Sequence, residues 1–379
     1  MKKVILQKTL FSLLLLLSFF SGFGQNLPLS KYAKISVITC GLGNETYSYF
    51  GHTAIRVADP ESNLDVVYNY GAFDFRTPNF VAKFAKGDLQ YFVIAHSFAD
   101  FINDYTYEKR SVFEQELLIS QDLKQKLFNK LNTVLLSEER YYTYKFIDKN
   151  CTSMVVDVIN STLNGKVIVK REDTDKTYRS ILFSYFKGHF YDQLGTSIIF
   201  GTKVDQMGSR IFLPFELKKS LEETTFQGRL LAGESKTLLS FEKETPISWW
   251  NNVYTYLFIL GFVVVAHNKV IDKIYLLILS LMGVFFVGVG FYSFHQELAM
   301  NYNVLLFSPL LLVLLFLSIL KNKKWTYRFA VLHLIFLIIY SIFLLNKAHF
   351  LIVLPMIITS GFTLARVAIR NKKRIPIII

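Results

Sequence analysis

Cysteine is scarce in this sequence, with only Cys40 and Cys151 in a chain of 379 residues. Two cysteines allow at most one disulfide. The sequence also lacks a metal-spaced His/Cys cluster, an H-E-x-x-H or G-x-S-x-G motif and a glycine-rich phosphate loop. We therefore expect no metal ion and no cofactor, and attention turns to the two thiols and to the histidines.

The first 24 residues have the layout of a secretory signal peptide. Lysines at the start precede an apolar run, and small residues end the segment near Gly24. No cysteine stands at the expected cleavage point, and Cys40 comes too late, so the chain is not an obvious lipoprotein. The residues that follow Gln25 are expected to be exported.

After the first 24 residues, long apolar runs appear in the C-terminal third, which we predict to be an all-α membrane domain, residues 251–379. A bilayer core takes about 20 apolar residues per helix, so the first of five predicted spans is short. The spans are Tyr254–Ala266, Ile274–Tyr292, Val304–Leu320, Phe329–Leu345 and Phe350–Ala368. Five spans are more than a simple anchor needs.

Loop charges predict the orientation of these spans. Lysines and arginines stand in alternate loops and in the C-terminal tail, whereas the loop Ser293–Asn303 carries none. Under the positive-inside rule the tail is cytoplasmic, and residues 25–250 lie outside the membrane, in agreement with the signal peptide.

The net charge of +13 follows from the same topology. Residues 252–379 hold twelve Lys and Arg against Asp272 and Glu297, and the first 24 residues hold three lysines. The exported part is therefore neutral. Basic composition often indicates a nucleic-acid partner, but this distribution gives no reason to expect one.

The exported part is predicted to be one α+β domain. Alternating or β-branched apolar runs predict strands, and a 3.6-residue apolar period predicts helices. The predicted strands are Ile35–Thr39, His52–Ala58, Asp65–Tyr70, Leu89–Ala95 and Val112–Ile119, followed by helices at Gln121–Arg140, with Ser120 as N-cap, and Cys151–Leu163. The order indicates strands first and helices afterwards.

Cys151 is a candidate nucleophile because it starts a predicted helix. Asp148 and Asn150 are good N-cap residues, and unpaired N–H groups at a helix start favour a thiolate. His52 begins a strand, on its mixed polar face, and is the candidate base. Asn69, on the next strand, is the candidate orienting residue.

Other residues give further or competing interpretations. Glu45, Tyr47 and Arg56 are alternatives for the orienting role, and the loop that holds His295 and Asn301 is either solvated or part of a groove for lipid or substrate. The candidate substrate-binding residues are Glu45, Tyr47, Arg56, Asn150, His295 and Asn301. Cys151 is alternatively a buried small residue, or half of a disulfide with Cys40 in a non-enzymatic membrane scaffold.

Several segments together resemble the Lnb family of bacterial lipoprotein N-acyltransferases. They are "ITCGLGNETYSYFGHTAIRV", "YNYGAF", "YYTYKFIDKNCTS", "IIFGTKVDQ", "FLPFEL" and "HQELAMNYNVLLFSP", with "FGH" and "NCT" as the most specific motifs. The exported domain is also similar to the permuted NlpC and lecithin:retinol acyltransferase superfamily. The retinol enzymes have a further histidine on the following strand, where this chain has "VVYNYG".

The resemblance implies a permuted papain-like fold, with Cys151 as nucleophile and His52 as base. It implies a bacterial inner-membrane acyltransferase whose domain is periplasmic, which takes an acyl chain from a phospholipid and passes it to a diacylated lipoprotein. An NlpC-type amidase or endopeptidase acting on peptidoglycan is the alternative enzyme. Such a hydrolase would need only an anchor, whereas two lipid substrates give a multispan region a role.

Overall fold

The computed structural model describes residues 27–242, residue 245 and residues 248–372. The predicted signal peptide lies outside the described residues, as do the tail residues Lys373 and Arg374. The described chain has a mixed α+β N-terminal part, rich in sheet, and a C-terminal part made of apolar helices.

A seven-stranded antiparallel sheet forms the N-terminal part, in the order β6-β4-β3-β2-β1-β5-β9. The strands are β1 Lys34–Cys40, β2 His52–Asp59, β3 Leu64–Ala72, β4 Gln90–Ser97, β5 Val112–Glu116, β6 Tyr141–Thr143 and β9 Lys236–Leu239, and a separate hairpin pairs β7 Thr225–Phe226 with β8 Arg229–Leu230. The five predicted strands are confirmed to within a few residues. The short strands β6 and β9, at the two edges, were not predicted.

Helices cover both faces of this sheet. The helices of this part are α1 Phe80–Lys86, α2 Phe98–Tyr107, α3 Gln121–Leu136, α4 Cys151–Thr162, α5 Tyr178–Phe183, α6 Phe190–Ile199 and α7 Pro214–Glu223. Helix α4 packs on β2 and β3, α3 on β4 and α7 on β1, while α2 packs on β3 and β4. Helices α1 and α2 interrupt the run of strands, so the predicted order of strands first and helices afterwards is only partly right.

Alternation along the strands separates two apolar cores. On one face, Ile35, Val37 and Ile55 pack with residues of α3, α4 and α7. On the other face, Ile38 and Cys40 pack with α2. Because neighbouring side chains on a strand point to opposite faces, the two-residue period assigns the apolar side chains of β1 to these two cores.

Within residues 248–372 the structure has five α-helices: α8 Val253–Val265, α9 Lys269–Tyr292, α10 Leu311–Ile319, α11 Lys323–Leu344 and α12 Phe350–Asn371. Three of them, α9, α11 and α12, are long and apolar enough to cross a membrane. Buried Asp272 pairs with Arg366 and with Arg370, the latter at 2.7 Å, which joins the start of α9 to the end of α12. The number of membrane crossings stays a prediction.

The third predicted span, residues 304–320, is wrong in extent, since only Leu311–Ile319 is α-helical. Residues Tyr302–Leu305 form a 3₁₀ turn, and the backbone then passes close to α9. A Cβ placed on Gly283 would lie 1.7 Å from the carbonyl oxygen of Phe307. Non-helical backbone of this kind is tolerated inside a membrane protein where protein buries it, and Asn303 and Phe307 are fully buried.

Candidate active site

Cys151 is the first residue of α4, and the sequence around it specifies that start. Asn150 is the N-cap: its side-chain oxygen accepts from Ser153 N–H at 2.9 Å, and Ser153 Oγ accepts from Asn150 N–H at 2.9 Å. The Asn150 amide nitrogen also donates to the carbonyls of Phe146 and Phe212, both at 2.8 Å. Asn150 is buried, so its observed contacts position the helix that carries Cys151.

Helix α4 crosses the sheet where β2 begins, and this brings His52 to the thiol. Thr53 and Thr152, the next residue on each element, join through their hydroxyl oxygens at 2.9 Å. The charges of His52 and Cys151 are the strongest influences on each other's pKa after burial, so the two side chains are close neighbours, and Cys151 Sγ contacts Thr152 Oγ1 at 3.9 Å. The sequence-predicted pair is therefore assembled in the structure.

Asn69 holds the other side of the imidazole. Strands β2 and β3 pair in a register that puts Asn69 opposite Ala54, on the face of the sheet that carries His52. Its Oδ1 makes a short hydrogen bond with His52 Nε2. An amide oxygen only accepts, so Nε2 carries a proton and Nδ1 is the nitrogen left for the thiol.

The electrostatics favour an ion pair between Cys151 and His52. Burial by itself would raise the pKa of the Cys151 thiol, but the neighbouring imidazolium and the hydrogen bonds from His52 and Thr53 outweigh burial and lower that pKa. Burial would likewise lower the pKa of His52, yet the thiolate and Asn69 raise it. A lowered thiol pKa beside a raised imidazole pKa is the arrangement that activates a cysteine nucleophile.

The alternatives for the orienting role lie elsewhere. Arg56 pairs with Asp65 at 2.8 Å and with Glu114 at 3.1 Å, and its guanidinium stacks on Phe98. Glu45 is the residue before the 3₁₀ turn Thr46–Ser48 and makes no side-chain cap hydrogen bond there. Tyr47 lies in that turn with an exposed side chain. The residue that the structure brings into contact with the imidazole is Asn69.

Cys40 lies opposite His52 in the pairing of β1 with β2, yet its side chain packs in the core on the α2 side and not against α4. It is fully buried in the core that contains Ile38 and Tyr105, whereas Cys151 packs against the core on the α4 side. Both cysteines are free thiols. Burial raises the pKa of Cys40 to about 12, against smaller opposing effects of Tyr105 and Arg110. Cys40 is therefore an unreactive packing residue in this structure, and the disulfide interpretation has no support.

Two residues that the sequence reading missed border the thiol. Gly71 interrupts the pairing of β3 with β4 and has a φ of 111°, which favours glycine. A Cβ on Gly71 would lie 3.6 Å from His52 Cε1 and 3.7 Å from Cys151 Cβ. The Tyr142 hydroxyl lies 4.0 Å from the same point and, among the described residues, has no hydrogen-bond partner. Burying a hydroxyl without a hydrogen-bond partner costs free energy. A hydrogen bond from the Tyr142 hydroxyl to a bound substrate would remove this cost.

In the loop after α9, His295, Glu297, Asn301 and Asn303 are buried while Phe294 and Met300 are exposed, so the solvated interpretation is wrong for these four polar residues. His295 Nε2 contacts the Phe84 carbonyl at 3.0 Å, and the amide nitrogen of Asn301 donates to the Ile198 and Ile199 carbonyls at 3.0 and 2.9 Å. Their observed contacts are with protein groups. A role for His295 and Asn301 in binding substrate stays a prediction.

A comparison with protein families supports the resemblance for the N-terminal part. Residues 26–183 match the model of the Lnb N-terminal periplasmic domain. This is less than half of the chain, but it includes His52, Asn69, Tyr142 and Cys151. No curated protein and no solved structure gives a significant match. The described chain thus combines an Lnb-like periplasmic domain with helices able to cross a membrane.

Proposed function

We propose that this protein is a membrane-bound lipoprotein N-acyltransferase. In this proposal it moves an acyl chain from a phospholipid, through a thioester on Cys151, to the N-terminal amine of a diacylated lipoprotein. The observation that carries the proposal is the Cys151–His52–Asn69 arrangement, in a domain that is joined directly to apolar membrane helices. The match to the Lnb domain model supports the same assignment.

The location follows from the predicted topology. Residues 25–250 would form the catalytic domain in the periplasm, residues 251–379 the helical domain in the bacterial inner membrane, and the C-terminus would be cytoplasmic. The domain would be a permuted papain-like fold, because the strand that carries the histidine precedes the helix that carries the cysteine.

The first half-reaction would form the thioester. His52 Nδ1 takes the proton of Cys151, and the thiolate attacks the carbonyl carbon of a phospholipid ester. The tetrahedral intermediate collapses by breaking the bond from carbon to glycerol oxygen, and that oxygen takes the proton from His52. The products are a lysophospholipid and an acylated Cys151.

The second half-reaction would use the same groups. The lipoprotein's free α-amine attacks the thioester carbonyl, His52 accepts the amine proton, and the Cys151 thiolate leaves and regains its proton. Because the thioester has to react with an amine and not with water, the site has to exclude water while the thioester persists.

Two kinds of donor would stabilise the oxyanion of both half-reactions. One is the group of unpaired N–H donors at the start of α4, and the other is the unpartnered hydroxyl of Tyr142. Removal of one such donor elsewhere has cost about 2.7–4 kcal/mol in transition-state stabilisation.

The test is mass spectrometry of the N-terminal peptide of a reporter lipoprotein, in cells whose own N-acylation has been removed. We expect an added amide-linked acyl chain with the intact protein and none with Cys151→Ala or His52→Ala. Cys40→Ala and His96→Ala are matched controls for the loss of a cysteine and of a histidine, and both should retain the modification if the proteins fold.

A free amine in cells that contain folded, inserted protein would refute N-acyl transfer. Incubation of the purified protein with muropeptides then tests wall hydrolysis, and fragments released only when Cys151 is present would establish the amidase alternative. Thiol labelling without reductant tests the scaffold alternative, which requires that neither cysteine reacts until the protein is unfolded and reduced.

A further inference from the structure

The segment of residues 73–86, here called the lip, ends in α1 and is bound to the loop where α9 emerges. The Phe294 N–H donates to the Lys86 carbonyl at 2.7 Å, and the Ser293 hydroxyl donates to the Ala85 carbonyl at 2.7 Å. These are carbonyls of the last turn of α1, which have no partner within their own helix. The lip is therefore attached to the outer end of a helix long enough to cross a membrane.

Most exposed residues of the lip are apolar, and its exposed charge is Arg76, whose side chain pairs with Asp74 at 3.0 Å. Phe75 is 66% exposed, Val81 76% and Phe84 45%. Exposed rings continue this surface onto the end of α9 and the residues after it, at Phe291, Tyr292 and Phe294. An exposed apolar patch of this kind marks an interaction site, and its continuity with α9 indicates that its partner is the same bilayer.

Charge and aromatic placement fit the same position. The Lys86 ammonium lies 5.7 Å from the centre of the Tyr292 ring and 5.5 Å from that of Phe294. Aromatic rings beside a lysine with an apolar stem are typical of the boundary between lipid headgroups and acyl chains.

A series of ring contacts leads inward from the lip to the thiol. Phe75 contacts Phe73 with ring centres 4.8 Å apart, and Phe73 contacts Tyr91 at 5.1 Å. Tyr91 neighbours Tyr142 at 6.2 Å. The Tyr142 hydroxyl borders Gly71, beside Cys151. These rings form a continuous series of contacts from the lip to the neighbourhood of the sulfur.

We propose that the lip inserts into the outer leaflet and that the rings of Phe73 and Tyr91 guide a phospholipid acyl chain from the bilayer to Cys151. The second part of this proposal rests on the acyl transfer proposed above, whereas the insertion does not. The occupant is the lipid of the leaflet that surrounds α9, and a second copy of the chain is the competing occupant.

Insertion is tested by depth-dependent fluorescence quenching. Val81→Cys is made in a Cys151→Ala background, where Cys40 stays buried, labelled with a nitrobenzoxadiazole dye and reconstituted in phosphatidylcholine–phosphatidylglycerol vesicles that contain doxyl lipids. Phe291→Cys, at the end of α9, is the lipid-facing reference. Glu61→Cys, in the exposed hairpin at the far end of the sheet, is the aqueous reference.

We expect the dye at Val81 to be quenched by doxyl lipid as strongly as the dye at Phe291, and several-fold more than the dye at Glu61. Quenching at Val81 equal to that at Glu61 would overturn the insertion. The dye at Val81 could also stay protected from an aqueous quencher in detergent, to an extent that depends on protein concentration. That result would show that the lip contacts a second copy of the chain, and it would overturn the insertion.

The path is tested with a phospholipid that carries a diazirine in its acyl chain. After illumination of the Cys151→Ala protein in vesicles, cross-links should map to residues 73–91 as well as to the membrane helices. Cross-links confined to residues 253–372 would refute the path. Since neither experiment uses catalysis, both outcomes are independent of whether acyl transfer is the reaction.

Discussion

Replacing Asn69 by alanine tests whether the contact with His52 stabilises the thiolate–imidazolium pair. A hydrogen bond to a charged group contributes about 1.5–3 kcal/mol, and one between neutral groups about 0.5–1.5 kcal/mol. The contact from His52 Nε2 to Asn69 Oδ1 therefore favours the ion pair over the neutral pair by about 1–1.5 kcal/mol. Its loss should lower the thiolate population about five- to tenfold wherever the thiolate is the minor form.

The assay is the rate of alkylation of Cys151 by iodoacetamide over a series of pH values, since only the thiolate reacts appreciably. Below the thiolate pKa, the rate for Asn69→Ala should be about five- to tenfold lower than for the wild type, by the free-energy difference above. At high pH the two rates should converge. Asn69→Asp keeps the accepting oxygen and adds a charge that favours the imidazolium, so it should retain the wild-type rate or exceed it.

Asn132→Ala is the matched control. Asn132 is a half-buried amide that also accepts one hydrogen bond, from the Tyr68 hydroxyl at 2.6 Å, but it lies on α3. A pH profile for Asn69→Ala that superimposes on that of the wild type would refute the reasoning. An equal change in Asn132→Ala would show that the effect comes from general loosening of the domain.

Three further predictions follow. His52→Ala removes the largest effect that lowers the pKa of Cys151, and the pKa-raising effect of burial remains. The Cys151 pKa should therefore rise above that of an ordinary cysteine, and the alkylation rate near neutral pH should fall steeply. An unchanged pH profile of alkylation would contradict the ion pair. Tyr142→Phe removes the proposed oxyanion donor, so thioester formation should slow about 100-fold or more while the alkylation profile stays the same; a change in alkylation alone would assign Tyr142 to packing. Gly283→Ala should lower the free energy of unfolding by about 1–3 kcal/mol, because the new Cβ would clash with the carbonyl of Phe307. At the control position, Gly288→Ala, nothing lies within 4 Å, so the change should be neutral or stabilising by up to about 1 kcal/mol. Equal shifts of the melting temperature in the two variants would contradict the close approach.

Features that depend on residues close together in the chain were predictable from the sequence, whereas features that depend on distant residues were not. The start of α4 was predictable because Asn150 and Ser153 form a cap between residues three apart. The face that His52 and Asn69 share was predictable from the two-residue period of strands. Arg56 shares that face, but its contacts with Asp65 and Glu114 remove it from the imidazole. No local signal distinguishes Arg56 from Asn69 as the partner of His52.

The residues that the sequence reading missed depend on pairing over long distances. Tyr142 lies in a strand of three residues, too short to produce an apolar period, and it borders the thiol only because β6 pairs with β4. Gly71 borders the thiol because the pairing of β3 with β4 shifts at that point. The apolar run after Asn303 has the composition of a membrane span, yet its first part is not α-helical, and its backbone passes close to Gly283 of α9.

The sequence by itself determined the helix start at Cys151, the strands that carry His52 and Asn69, and the positions of the three long apolar helices, because caps and periods depend on neighbours within one or two turns. Only the tertiary structure decided that His52 meets Cys151, while Cys40, the pairing partner of His52, is buried in the core on the α2 side. It also decided that Asn69 contacts the imidazole and that the lip is attached to the loop after α9. These outcomes depend on strand register and helix packing between residues far apart in the chain. In such contacts the burial of a whole sheet or helix face outweighs the small conformational preferences of single residues.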